Sequence, residues 1–324
     1  MKILAHVHGY PPNHNAGAEW MLHHMLKWLQ ARGHKIMVAT PNPGPSEFEG
    51  IQLVKEFGKL HIRERYKWAD IIISHLDRTG KCINHVRIVD KPALFIMHNT
   101  HFNNELAKIA HRSILCYNSE YTASVPFYTH KDSVIVYPPC PVDYYTTKRG
   151  GGAFITMVNL WKHKGSDMFF HLAKELPEHQ FMGVRGGYGH QEKVDLDNIV
   201  YKDNQPNMKK IYQRAKVVIM PSPYESFGRV AIEAAASGIP TVAAPTPGLT
   251  EALGSAGIFV DLDDREGWVE AVNRLMTDGE YYKKMQQKVR ARARKLEAMI
   301  DPQMEALVEL MQRAVKNRIR NERQ

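Results

Sequence analysis

Short apolar runs of strand length alternate with amphipathic segments along most of the 324 residues. Lys2 to Val7 and His34 to Ala39 are two such runs, and Glu19 to Arg32 between them carries apolar residues at helical spacing. Gly33 is placed to end this predicted helix. Because strands alternate with helices, we predict a parallel sheet that binds ligands at the carboxyl ends of its strands.

The same alternation returns in the second half of the chain. Strands are predicted at Ala153 to Val158, Gln180 to Val184 and Lys216 to Met220. Lys148 to Gly152, rich in glycine, is the predicted boundary between two domains, 1–148 and 149–298. Two further helical stretches are expected to end the chain. The apolar stripe of the last one, 299–324, consists of Met304, Leu307, Val308, Met311 and Val315.

Composition sets limits on the class of protein. The length suits about two domains that each bury a core. No apolar run reaches the roughly 18 residues of a membrane-spanning helix, and the N-terminus lacks signal-peptide anatomy. Three cysteines, Cys82, Cys116 and Cys140, are odd in number and lack metal-like spacing, which favours a reducing cytoplasm.

Positive charge is concentrated near the end of the chain. The net charge is +9, and residues 281–324 hold 12 Lys and Arg against 5 Asp and Glu, which is +7. A solvated helix face would account for this excess. The alternatives are contact with an anionic membrane surface or with a nucleic acid.

The stretch Tyr224 to Glu233 carries the clearest chemistry. It follows the predicted strand that ends at Met220 and leads into a helix that ends at Gly238. Glu225 therefore lies on a loop and Glu233, eight positions later, inside a helix. The N–H groups of 227–230 lie near the helix N-terminus, where a phosphate is favoured. The plainer alternative is that Glu225 caps the helix and Glu233 is solvated.

These two glutamates, with Pro221-Ser222 before them and Pro247-Gly248-Leu249-Thr250-Glu251 after them, resemble the E-x7-E motif of retaining glycosyltransferases of the family-4 kind. The resemblance covers nearly the whole chain and is strongest from Met157 to Val260. It implies the GT-B fold, in which two Rossmann-like α/β domains face each other across a cleft. It also implies transfer of a sugar from a nucleotide sugar with retained anomeric configuration.

The resemblance also implies roles for single residues. Glu225 would hold the sugar hydroxyls and stabilise positive charge on the ring, and Glu233 would bind the ribose hydroxyls. Lys164, beside Gly165, would neutralise the donor diphosphate, although the arginine that many relatives carry before it is absent here. His98, at the end of a strand, would reach the donor sugar, unless it is an ordinary core histidine. The other predicted donor-binding residues are Gly17, Asn159, Gly187, Asn204, Ser226, Phe227, Gly228, Arg229 and Val230.

Cofactors and partners can be predicted from the same residues and the same resemblance. No metal is expected, because Lys164 and the N–H groups near Arg229 and Val230 would supply the positive charge on the phosphates, and the leaving phosphate would take the acceptor's proton in a front-face substitution. A UDP-sugar is preferred over a GDP-sugar on family frequency alone. We expect a cytoplasmic enzyme, with peripheral membrane contact left open, and a saccharide, lipid-linked or protein acceptor. The alternatives are a DNA-base glycosyltransferase, a nucleotide- or DNA-binding protein without activity, and an epimerase of the same fold.

Overall fold

The computed structural model describes residues 1–56, 58–101, 103–110, 113–125, 132–147 and 152–321. These residues divide into two compact units. The first comprises Met1–His14, Ala18–Pro139 and Met299–Gln324, and the second comprises Asn15–Gly17 and Cys140–Ala298. Most of the predicted boundary, at 148–151, lies outside the described residues.

The first unit is built on one sheet of eight strands in the order β3-β4-β2-β1-β5-β6-β7-β8. Every neighbouring pair is parallel except β3 and β4. The strands are β1 (Lys2–His6), β2 (Lys35–Thr40), β3 (Glu47–Phe48), β4 (Ile51–Lys55), β5 (Ile71–His75), β6 (Ala93–Met97), β7 (Ile114–Tyr117) and β8 (Ser133–Ile135). The helices are α1 (Gly17–Ala31), α2 (Lys59–Trp68), α3 (Thr79–Val89), α4 (Asn104–Ala107) and α5 (Glu120–Ala123).

The central strands of this sheet are buried along their whole length. All five residues of β5 and all five of β6 are buried, as expected for parallel strands covered on both faces. Their apolar character leaves the polar chemistry to the positions where the strands end. His75 is the last residue of β5, and His98 follows the last residue of β6.

The second unit holds a parallel sheet of six strands in the order β11-β10-β9-β12-β13-β14. The strands are β9 (Phe154–Val158), β10 (Gln180–Val184), β11 (Ile199–Lys202), β12 (Ala215–Met220), β13 (Thr241–Ala243) and β14 (Ile258–Phe259). The helices are α6 (Val142–Tyr145), α7 (Ser166–Glu175), α8 (Lys209–Tyr212), α9 (Arg229–Ala236), α10 (Pro247–Leu253) and α11 (Arg265–Thr277). The predicted parallel α/β architecture is therefore confirmed in both halves of the chain.

The expectation of two separate helical stretches at the end of the chain is wrong. A single helix, α12, runs for 43 residues over Gly279–Asn321 and contains Pro302. Proline costs a helix one hydrogen bond, but the apolar stripe continues through it at helical spacing without a break. The buried residues of that stripe are Met285, Val289, Ala293, Leu296, Ile300, Met304, Leu307 and Met311. Burying this stripe outweighs the lost bond.

Residues 299–321 of α12 are held in the first unit by polar contacts as well. The Trp28 indole Nε1–H donates to Asp301 Oδ1 at 2.6 Å, and the backbone N–H of Tyr137 donates to Gln303 Oε1 at 2.9 Å. Within the described part of the chain, no helix is both long and apolar enough to cross a membrane.

Candidate functional site

The loop between β12 and α9 brings Glu225 to the carboxyl edge of the second sheet. The helix begins at Arg229, four residues after Glu225, and contains Glu233 as predicted. Gly228 precedes it at φ +97°, and a Cβ there would come within 2.5 Å of Leu249 Cδ2. Glycine is therefore favoured at this turn by the backbone conformation, and a larger residue would also displace the Leu249 side chain. The first N–H groups of α9 face the end of the sheet where ligands bind in parallel α/β units.

Lys164 and Glu225 form an ion pair in this loop region. Lys164 Nζ lies 2.7 Å from Glu225 Oε1, and the two side chains are 18% and 15% exposed. Burial by itself would lower the pKa of Lys164, but the Glu225 carboxylate and Tyr188 raise it above its ordinary value. The lysine is therefore firmly cationic in a partly desolvated place, where one positive charge has the most effect on an anion.

Backbone contact fixes the loops that carry this pair. Gly165, the residue after Lys164, has φ +85°, and a Cβ on it would overlap the carbonyl oxygen of Pro221. The turn after β9 and the turn after β12 thus touch at a position that admits only glycine. We expect this contact to help fix the separation between Lys164 and Glu225.

Glu233 is buried and held at both carboxylate oxygens. Arg229 Nε donates to Oε1 at 2.6 Å, and the Tyr212 hydroxyl donates to Oε2 at 2.7 Å. Arg229 Nη2 also donates to the Tyr145 hydroxyl at 2.7 Å. Burial would lower the pKa of Arg229, but Tyr145 and Glu233 raise it. With 5% exposure, Glu233 is not the solvated residue of the alternative interpretation.

Sequence reasoning missed the partners of Glu233. It assigned Arg229 a role through its backbone N–H alone, although an arginine and a glutamate four positions apart on a helix are a recognisable pairing signal. Tyr145 and Tyr212 lie 84 and 21 positions away along the chain from their partners, and no local pattern marks them.

A glutamine joins the loops that follow β9 and β10. Gln191 Nε2 donates to Asn159 Oδ1 at 2.8 Å, and Gln191 Oε1 accepts from the Gly186 N–H at 2.9 Å. Asn159 itself adopts φ +71°, which asparagine tolerates better than most residues. The predicted residues Asn159 and Gly187 are thus brought into one loop cluster, and Gln191, which the sequence analysis did not single out, holds it together.

The segment Asn15–Gly17, which belongs to the second unit, lies against this cluster. Asn204 Nδ2 donates to the Asn15 carbonyl at 3.3 Å, and a Cβ on Gly187 would come within 2.6 Å of the same oxygen. A Cβ on Gly17 would lie 3.7 Å from Arg229 Cδ, which is ordinary contact. Gly187 is therefore required by packing, whereas packing alone does not explain Gly17.

The predicted residues of the β12–α9 loop differ in exposure. Phe227 and Gly228 are buried, while Ser226 and Val230 are half-buried. Phe227 therefore contributes a core side chain at 2% exposure, and its contribution to any ligand would come from the backbone.

His98 lies in the first unit, after β6. Its Nε2 is 2.9 Å from His75 Nδ1, so the two rings share one hydrogen bond. Burial and then the neighbouring His8 lower the pKa of His98 to about 3, which keeps the ring neutral. His98 thus belongs to a polar histidine cluster and is not packed among apolar side chains alone.

Comparison with known proteins finds a family match for part of the chain. Residues 148–293 match the family described as glycosyl transferases group 1. A D-inositol 3-phosphate glycosyltransferase from Corynebacterium urealyticum is 49% identical over 70 residues, which is 21% of this chain and 16% of that protein. The resemblance predicted from the E-x7-E motif is confirmed for this part of the chain. The aligned region spans less than a fifth of that relative's length.

Solved structures show that the fold extends over nearly the whole chain. A sucrose-phosphate synthase from Thermosynechococcus elongatus superposes with a TM-score of 0.77 over 97% of this chain and 100% of that one, at 15% identity. The Anabaena protein HepE in complex with UDP-glucose gives a TM-score of 0.74 over 98% and 99%, at 17% identity. The predicted GT-B fold is confirmed.

Proposed function

We propose that this chain, a group 1 glycosyl transferase over residues 148–293, is a retaining glycosyltransferase that moves a sugar from a nucleotide sugar to a hydroxyl acceptor. The observation that carries the proposal is the Lys164–Glu225 pair beside the start of α9. It sets a cation, a carboxylate and a helix N-terminus at the carboxyl edge of one parallel sheet, which suits a sugar linked to a diphosphate.

The donor diphosphate would take the positive groups of this edge. Lys164 and the first N–H groups of α9 would neutralise the charge that grows on the leaving phosphate. Glu225 would accept hydrogen bonds from the sugar hydroxyls and stabilise the positive charge that develops on the ring. This assignment needs no divalent metal at the donor phosphates, and the leaving phosphate would accept the acceptor's proton.

The nucleoside would lie against the loops after β9 and β10. Glu233 keeps lone pairs for the ribose hydroxyls even with Arg229 and Tyr212 bound to it, since an ionised carboxylate offers about four acceptor positions. The wall made by Asn159, Gly187 and Asn204 would hold the base. A uridine nucleotide is our first choice, supported by the solved Anabaena neighbour with UDP-glucose, and a guanosine nucleotide is the alternative.

The first unit would supply His98 to the donor sugar and hold the acceptor. A saccharide, a lipid-linked saccharide or a protein side chain is the acceptor class that we favour. A neutral His98 can donate or accept one hydrogen bond without bringing a charge near the cationic transition state.

Two measurements test the proposal. Uridine diphosphate should raise the melting temperature of the unmodified chain more than uridine does, and Lys164→Ala should lose most of that shift. Lys174→Ala, an exposed lysine on α7, is the matched control and should keep it. Incubation with UDP-glucose and other nucleotide sugars should release the nucleoside diphosphate. Binding without any release over a panel of donors and acceptors would instead indicate a nucleotide-binding protein, and an unchanged shift in Lys164→Ala would refute the phosphate assignment.

A further inference from the structure

Three polar side chains of the first unit converge beside the carboxyl ends of β1 and β5. They are His8, which follows β1, Glu19 on α1 and His75, the last residue of β5. The atoms that each could offer to a metal ion all lie within 4.8 Å of one another. We propose that His8, Glu19 and His75 form a binding site for a divalent transition metal, with zinc as the expected ion.

Burial without hydrogen bonding is the first argument. Glu19 is 1% exposed and His75 is fully buried. Within the described residues, neither carboxylate oxygen of Glu19 makes a hydrogen bond of good geometry, although His8 and His14 lie 3.2 and 3.5 Å from Glu19 Oε1. The Nε2 atom of His75 makes none either. Because an unsatisfied buried polar group costs about 1–3 kcal/mol, and more when charged, such groups in one place call for an explanation. A cation bound between them would satisfy His75 Nε2 and one oxygen of Glu19 together.

The spacing of the donor atoms is the second argument. His8 Nε2 lies 3.2 Å from Glu19 Oε1, at ion-pair distance. Two ligand atoms on a tetrahedral zinc ion, each about 2.0–2.1 Å from the metal, lie about 3.3 Å apart. Two imidazoles and one carboxylate are a ligand set that zinc uses when it keeps a fourth position for water or a substrate hydroxyl.

The orientation of His75 is the third argument. Its Nδ1 shares a hydrogen bond with His98 Nε2 at 2.9 Å. When His75 Nδ1–H donates this bond, the lone pair of His75 Nε2 is left for the other side of the ring, where the unpartnered atoms lie. Metal-binding histidines almost always make such a bond with their second nitrogen, because it fixes the ring and the tautomer. His14, whose Nδ1 is 3.5 Å from Glu19 Oε1, borders the same site.

The three proposed ligands differ from the residues that would hold the donor phosphates. No metal is expected at the donor phosphates, where Lys164 would supply the positive charge, and Lys164 belongs to the second unit. His8, Glu19 and His75 belong to the first unit, and the proposed metal site leaves the role of Lys164 unchanged. An ion pair between protonated histidines and Glu19 is the competing account of the same cluster.

Metal titration of tag-free, EDTA-treated protein separates the two accounts. Cobalt(II) should bind once per chain and give visible absorption bands of a four-coordinate site, and zinc should displace it and raise the melting temperature. Glu19→Gln, His75→Gln and His8→Gln should each abolish the cobalt bands. The exposed residues His61 and Glu105 supply the controls, and His61→Gln and Glu105→Gln should bind as the unmodified chain does.

A graded variant tests the orientation argument. His98→Gln keeps every proposed ligand and should weaken cobalt binding by about 10–100-fold without abolishing it. Circular dichroism and melting of each metal-free variant establish that it is folded, and the partly exposed His8 is the substitution least able to disturb the core. No cobalt binding by the folded unmodified chain, or binding that survives in all three ligand variants, would overturn the metal site and leave the ion-pair cluster.

Discussion

Lys164 Nζ donates a hydrogen bond to Glu225 Oε1 at 2.7 Å. In the proposed function, both side chains would bind the donor instead of each other. A diphosphate would attract the lysine, and the sugar hydroxyls would occupy the glutamate. The pair also prevents either charge from being left alone in a partly buried place, which would cost several kcal/mol. Donor binding therefore exchanges one set of charge-assisted hydrogen bonds for another.

Glu225→Gln separates binding from transfer. The substitution removes the competitor for Lys164, so the affinity for uridine diphosphate should be unchanged or up to about tenfold tighter, since a charge-assisted bond is worth about 1.5–3 kcal/mol in total. Sugar transfer should fall by at least about 100-fold, as when one stabilising group of a transition state is removed. Calorimetry and a product assay measure the two effects. Glu270→Gln, an exposed glutamate on α11, should change neither. Weaker binding of uridine diphosphate by Glu225→Gln would contradict this account.

For Glu233, an effect on ribose binding has to be distinguished from an effect on folding stability. Glu233→Gln leaves the buried Arg229 without a counter-charge, so the melting temperature should fall whatever the ligand contacts are. If Glu233 also binds the ribose, the variant should lose about 1–3 kcal/mol of affinity for uridine diphosphate but little for analogues that lack the ribose hydroxyls. The affinities of uridine diphosphate and of its 2′-deoxy and 3′-deoxy analogues should be measured for the unmodified chain and for Glu233→Gln. Equal losses for all three ligands would mean that Glu233 acts only by holding α9.

At the scale of the elements, the glycines between strands and helices decide whether the site forms. Gly165→Ala forces a Cβ into the left-handed region and into the Pro221 carbonyl. We expect a loss of at least about 1–2 kcal/mol in the free energy of unfolding from the backbone term alone. The shift of melting temperature with uridine diphosphate should also disappear, because the two loops move apart.

The control for that experiment is another glycine at a helix start. A Cβ on Gly279 would meet no atom within 4 Å, so Gly279→Ala should leave stability and nucleotide binding unchanged. Chemical denaturation and thermal shift measure both variants. Nucleotide binding that persists in folded Gly165→Ala would show that the loop contact does not position Lys164.

The elements were predictable from the sequence wherever burial alone defines them. Strands such as β5 and β6 are continuous apolar runs because both faces are covered, so their existence and parallel order could be inferred. That α12 continues through Pro302 could not be inferred. Proline disfavours a helix interior locally, whereas the apolar stripe that favours the helix packs against residues far away in the chain.

The candidate site could be predicted only in part, and from motif resemblance instead of burial. Motif resemblance pointed to Lys164, Glu225 and Glu233, whose roles stay predictions. The residues that hold them, Gln191 and Tyr212 among them, gave no signal, because hydrogen-bond partners brought together by folding share no spacing in the sequence. The cluster of His8, Glu19 and His75 was missed for the same reason.

At the scale of the whole molecule, the basic end of the chain is partly engaged in structure. Arg292 Nε donates to the Ala252 carbonyl at 2.7 Å, and Arg313 Nη2 pairs with Asp132 Oδ1 at 2.7 Å. The Lys and Arg residues of 283–295 fall at positions on several sides of α12 and are not confined to one stripe. A helix that binds a nucleic-acid groove or a membrane surface would concentrate them on one face.

We therefore expect duplex and single-stranded DNA to bind only through nonspecific charge. Apparent affinity should fall steeply between about 50 mM and 200 mM salt, and the fall should be the same for unrelated sequences, because released counterions drive such binding. Lys283→Gln with Lys284→Gln should reduce the slope of log K against log salt by up to about 0.9 for each phosphate that the variant no longer neutralises. Filter binding across a salt series measures this slope, and a donor with a labelled sugar tests whether DNA accepts the sugar. Tight binding at physiological salt together with transfer of label to DNA would make a nucleic acid the acceptor and would overturn our preference for a saccharide, lipid-linked or protein acceptor.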